Sequence, residues 1–97
     1  MKFMVTWEIF PGCYEAAAER FLGSGGPTPK GVKSIARWHG PGSTVGWHIV
    51  ESNDPRALAE DSAEWADLLD MQVTPVLDDA DAAKVMGKRF GKKSRKK

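Results

Sequence analysis

Ninety-seven residues, 41% of them hydrophobic and four of them tryptophan, suffice for one small globular domain whose core is adequate but not generous, so a subunit interface would help to complete it. No apolar run approaches the ~20 residues that span a bilayer, no signal-peptide pattern opens the chain, and the single Cys13 cannot form an intramolecular disulfide, so a cytoplasmic protein without a membrane segment is expected. The formal net charge of +1 conceals a division: all 13 acidic residues but only six of the 14 basic ones lie up to Ala83, leaving that body at −7, while Lys84 to Lys97 carries +8. An acidic body opposes nonspecific attraction to nucleic acid, which leaves the tail as the one candidate for an anionic partner.

Lys2 to Ile9 alternates Phe3, Val5, Trp7 and Ile9 against Met4, Thr6 and Glu8, the period of a strand whose two faces meet different surroundings. Phe10-Pro11-Gly12 stops it. From Cys13 onward, Tyr14, Ala17, Ala18, Phe21 and Leu22 recur at the spacing of an amphipathic helix, with Glu15, Glu19 and Arg20 on its wet side. Cys13 itself reads as a small helix-start residue rather than a nucleophile, since no base accompanies it locally. The run Gly23-Ser24-Gly25-Gly26-Pro27-Thr28-Pro29 ends the helix. It lacks the Gly-Lys-Ser/Thr ending of a phosphate loop and leads into a strand, so it is expected to be a plain connector.

Lys33 to Glu51 writes Trp-His twice, at Trp38-His39 and Trp47-His48, around the breaker Gly40-Pro41-Gly42-Ser43, and reads as a β-hairpin. Setting Trp38 opposite Trp47 places Ala36 opposite Ile49, Arg37 opposite His48 and Ile35 opposite Val50. One face is then Ala36, Trp38, Trp47 and Ile49, expected to join the core. The other is Ile35, Arg37, His39, His48 and Val50. Asp54 followed by Pro55 is a strong helix start. Leu58, Ser62, Trp65, Ala66 and Leu69 make the expected inward stripe of that helix, and Glu60, Asp61, Glu64 and Asp67 its solvated face. Met71 to Leu77 alternates again, and Pro75, having no N–H to donate, makes this an edge or bulged strand. Asp78 or Asp79 then caps a short final helix carrying Val85, Met86 and Phe90.

The element order βαββαβ with an added C-terminal helix predicts an α+β, ferredoxin-like domain over residues 1–90, with a basic C-terminal tail at 91–97. Its four-stranded antiparallel sheet has strands one and three central and both helices on one face. All four tryptophans fall on positions expected to face the core. The opposite face, with Met4, Thr6, Glu8, Ile35, Arg37, His39, His48, Val50, Gln72, Thr74 and Val76, is too apolar to be left in water. A second copy packed sheet to sheet is expected to cover it.

Met1 to Trp7 with Pro11-Gly12, Arg37-Trp38-His39-Gly40, the Glu51 to Pro55 turn, Trp65 to Asp70 and Val73 to Asp79 occur in the order seen in the domain-of-unknown-function family 3303, and the chain resembles that family to about Val85. The tail beyond Met86 lies outside the resemblance. The resemblance implies a dimeric α+β barrel, a group that includes cofactor-independent monooxygenases, haem-degrading enzymes, muconolactone isomerases and stress-response proteins. It implies no activity, and no catalytic residue of those enzymes transfers to a position here.

Among polar residues on the second face, Glu8, Arg37, His39 and His48 form the candidate ligand-binding cluster. They serve either as a structural network in a dimer interior or as a small-molecule cavity in which Arg37 holds an anionic group, His48 exchanges a proton near neutral pH and Glu8 orients one of them. Glu8, His39 and His48 are metal-ligand types, but the neighbouring Arg37 guanidinium would repel a cation, so neither a metal nor a cofactor is expected. The tail Lys92-Lys93-Ser94-Arg95-Lys96-Lys97 could bind nucleic acid or lie against an acidic helix, and without interleaved aromatics it is not a stacking reader of single strands. The expected protein is thus a homodimeric structural or small-molecule-binding module, with a monooxygenase- or isomerase-like enzyme and a tail-mediated adaptor as alternatives.

Overall fold

A computed structural model describes residues 1–91. The alternating segments become β1 (Lys2–Ile9), β2 (Lys33–His39), β3 (Val45–Glu51) and β4 (Leu69–Val76). The periodic ones become α1 (Tyr14–Ser24), α2 (Pro55–Ala63) and α3 (Asp79–Met86), the last followed by a π-helical turn, Gly87–Gly91. The strands form one antiparallel sheet in the order β2-β3-β1-β4, so β1 and β3 are central and the proline-bearing β4 is an edge. This is the ferredoxin-like α+β arrangement that the element order requires. The basic run Lys92 to Lys97, to which the adaptor reading belongs, lies outside the described residues.

Local chemistry sets several of the helix boundaries. Gly25 adopts φ 75°, and its N–H closes α1 on the Phe21 carbonyl at 2.7 Å. Asp54 accepts a hydrogen bond from the Arg56 N–H at 3.0 Å, with Pro55 at the first helical position of α2. Asp78 caps α3 through the Asp81 N–H at 2.8 Å and also meets Lys2 Nζ at 3.2 Å. α2 is shorter than its periodicity suggests: it stops at Ala63, and Leu69, expected on its inward stripe, begins β4 instead.

Within the hairpin, Trp38 pairs with Trp47, Arg37 with His48 and Ala36 with Ile49, as the constant-sum rule requires. Ile35 does not oppose Val50. A bulge lies between Ser34 and Ala36, Ser34 takes the place opposite Val50, and Ile35 is left unpaired.

The larger correction concerns which way the hairpin faces. β1 pairs with β3 so that Val5 opposes His48, Phe3 opposes Val50 and Trp7 opposes Gly46. Residues directly opposite share a face, so Arg37, His39, His48 and Val50 join Phe3, Val5 and Trp7 on the helix side. Trp38, Trp47, Ala36 and Ile49 join Met4, Thr6 and Glu8 on the other. Trp38 and Trp47, expected in the core, are 54% and 40% exposed, whereas Val50 is fully buried. The physical reason sits at Gly46: a Cβ there would collide with the Trp7 indole, so the missing side chain provides the space into which Trp7 packs. A second gain is that His48, once buried, meets Ser34 Oγ at 2.7 Å.

The core divides into two clusters on the helix side. Val5, Val32, Val50 and Ala57 pack with Phe3 and Leu58, while Ala17, Leu68 and Leu69 pack with Trp7, Ile9 and Trp65. Met71 touches both. α3 buries none of its residues, and Val85, Met86 and Phe90 are each 60–61% exposed.

Candidate functional site

Between the two core clusters the helices do not close on the sheet. A cavity of about 430 Å³ remains, floored by Val5, Trp7, Met71 and Leu69 and roofed by Ala17, Ala18 and Phe21 of α1 and by Asp61 and Trp65. Tyr14 and Leu22, 61% and 81% exposed, stand at its edge, so it communicates with solvent. The roof is held by Arg20, whose guanidinium makes a bidentate pair with Asp67 at 2.9 and 2.8 Å, donates to the Glu64 carbonyl at 2.7 Å and lies 5.4 Å from the Trp65 ring centre. This ties α1 to the turn after α2.

Three of the four expected site residues line this cavity: Arg37, His39 and His48. The fourth, Glu8, does not. It faces the other side of the sheet, directly opposite Asp70 on β4, at a smaller hollow that also includes Phe10, Thr44 and Tyr14. The cavity was expected on the side away from the helices, and the hairpin's orientation moves it beneath them. Glu8 cannot then orient Arg37 or His48, nor share an ion with the two histidines. Among the described residues no cluster of three metal-ligand side chains forms.

Arg37 is positioned by the glycine-rich connector. Its Nη2 donates to the Gly26 carbonyl at 2.5 Å and its Nη1 to the Gly25 carbonyl at 3.4 Å, with the guanidinium 5.6 Å from the Phe21 ring centre. Gly26 is required there: it is buried at φ 60°, and a Cβ would press on both Arg37 Nη1 and the Phe21 ring. The stretch read as a plain connector therefore orients the cavity's guanidinium. His39 packs between rings, 5.6 Å from Trp7 edge-on and 5.2 Å from Phe21.

His48 is 4% exposed, and burial together with the Arg37 charge lowers its pKa to about 4. It is therefore neutral at pH 7 and unsuited to the proton exchange near neutrality that its residue type suggested. Asp61, expected on the wet face of α2, lines the cavity instead: it is 8% exposed, with its carboxyl pKa raised by burial, partly offset by Arg37. The available signal was its i, i+4 spacing from the small Ala57, which is buried on the same face.

Among the described residues no helix is long and apolar enough to cross a membrane. No curated protein and no solved structure matches the chain. The sequence model of one family, the domain of unknown function DUF3303, matches residues 1–90, so the chain belongs to that family.

Proposed function

We propose that this protein is a homodimeric small-molecule-binding module, with one ligand cavity per subunit beneath the helices and the second subunit against the opposite side of the sheet. The observation that carries the binding half is the cavity: its roughly 430 Å³ falls in the range of ligand pockets, its walls are mainly aromatic and aliphatic, and its polar groups gather at Arg37, His48 and Asp61. Binding is favoured over turnover because His48, neutral above about pH 4, is a poor proton donor at neutral pH. The cytoplasm is the proposed setting, on the strength of the single unpaired Cys13.

A thermal-shift screen on wild type and Ala18→Trp, which fills the cavity from α1, tests the binding. Compounds that raise the wild-type Tm should fail to move the variant. A screen without hits, or hits that shift a folded Ala18→Trp equally, overturns the reading.

The homodimer rests on Trp38 and Trp47, exposed side by side on a sheet face shared with Met4 and Ile49, an apolar surface that a second sheet would cover. Light scattering should give twice the chain mass for wild type and the chain mass for Trp47→Glu. A monomeric wild type at micromolar concentration contradicts it.

A further inference from the structure

At the polar end of the cavity one side chain, Asp61, has no hydrogen-bond partner among the described residues. Asp61 is 8% exposed as a residue, its carboxylate accepts no hydrogen bond from any described residue, and both oxygens keep access to the cavity space. A carboxylate largely removed from bulk water is expensive without donors, and among the described residues no lysine, arginine or backbone N–H contacts it. Arg37 influences it from beyond ion-pair distance, because two of its five N–H groups are turned toward the Gly25 and Gly26 carbonyls. His48 engages Ser34 through Nε2. The Asp61 carboxylate thus faces the cavity with no donor from the described residues.

Charge decides which donor. Arg37 and Asp61 contribute opposite formal charges to the same chamber, and His48 is neutral there. An added cation would meet Arg37 and an added anion would meet Asp61, each in surroundings of low polarity where such terms are large. A neutral group offering both a donor and an acceptor satisfies both without a net charge to bury. Trp7, Phe21 and Trp65 favour a flat ring as the body, and the volume accommodates roughly 15 non-hydrogen atoms at ordinary packing density.

We propose that the cavity takes a neutral, ring-bodied molecule whose polar end donates an O–H or N–H hydrogen bond to the Asp61 carboxylate and accepts one from the side of Arg37. Phenols and cyclic amides have this chemistry. The inference rests on the binding reading above and adds the ligand class to it.

Four bicyclic probes of matched shape test it by isothermal titration at pH 7.5: 2-naphthol, 2-methoxynaphthalene, 2-naphthoate and 2-naphthylmethylammonium. Wild type should bind 2-naphthol most tightly, about tenfold better than the methoxy compound, which accepts but cannot donate; a hydrogen bond to a charged acceptor is worth at least that factor. In Asp61→Ala the two neutral probes should bind within about twofold of each other, with the methoxy compound unchanged from wild type. If all four fail to bind wild type, the binding reading falls and this inference with it. If the methoxy compound equals 2-naphthol in wild type, or either ion binds best, the ligand class is wrong while the cavity reading stands. The wild-type comparison decides even if Asp61→Ala does not fold.

Discussion

His48 sets how this protein should respond to mild acid, because its ring is buried neutral beside a guanidinium. In the unfolded chain it titrates near 6.5, and in the folded chain at about 4, first because burial disfavours the imidazolium and second because Arg37 adds a like charge. Between those values the unfolded chain binds a proton that the folded one refuses. The stabilisation is therefore complete above pH 6.5 and drains away as pH falls toward 4. At about 1.4 kcal/mol per pH unit the gap amounts to about 3 kcal/mol, a large share of the stability of a domain this size. His48→Gln keeps an amide within reach of Ser34 and removes the titration. Urea unfolding followed by tryptophan fluorescence, at fixed protein concentration, gives both stabilities from pH 7.5 to 4. The advantage of wild type over the variant should shrink by about 3 kcal/mol across that range. A difference that stays constant to within about 0.5 kcal/mol would mean that the ring is solvated, and would place the hairpin the other way round. Asp61 acts in the opposite direction: its carboxyl pKa is raised above the usual 3.8, so its penalty is relieved as pH falls through that raised value, equally in both proteins.

The remaining predictions probe separate joints of the fold. Gly46→Ala places a methyl group against the Trp7 indole and should cost about 1–3 kcal/mol with a shift in tryptophan emission; unchanged unfolding would remove the reason given for the hairpin's orientation. Asp54→Ala deletes the cap of α2 and should cost about 1 kcal/mol by urea denaturation, whereas Asp54→Asn should cost only a few tenths. Asp61→Ala, by removing a carboxylate that has no donor among the described residues, should raise stability at pH 7.5 by about 1 kcal/mol despite the lost volume. A comparable loss would show that Asp61 has a structural partner after all.

Much of this architecture is legible in the chain. The loop Gly40-Pro41-Gly42-Ser43 and the doubled Trp-His dipeptide suffice to pair Trp38 with Trp47 and Arg37 with His48, and Pro75 marks the edge strand. The parity of that hairpin against β1 is not legible, because both of its faces are mixed. Hydrophobicity alone points the larger rings inward, but the choice is made by a contact between distant residues, Trp7 over Gly46, and by the hydrogen bond that lets His48 be buried. Once the parity is inverted, the consequences for the site follow together. Arg37, His39 and His48 remain neighbours because they share the hairpin, and Glu8 leaves them because it sits on the other parity of β1. The burial of Asp61 is not legible for a related reason: a carboxylate among Glu60, Glu64 and Asp67 has the pattern of a solvated face, and only the packing of α2 distinguishes it.

The proposed ligand cavity is tested most directly by intermolecular nuclear Overhauser effects between 2-naphthol and the protein's methyl groups. Cross-peaks should connect the ring protons to Ala17, Ala18 and Met71, which line the chamber beneath the helices. Cross-peaks to Ala36 and Ile49 instead would put the ring on the far side of the sheet and contradict the site.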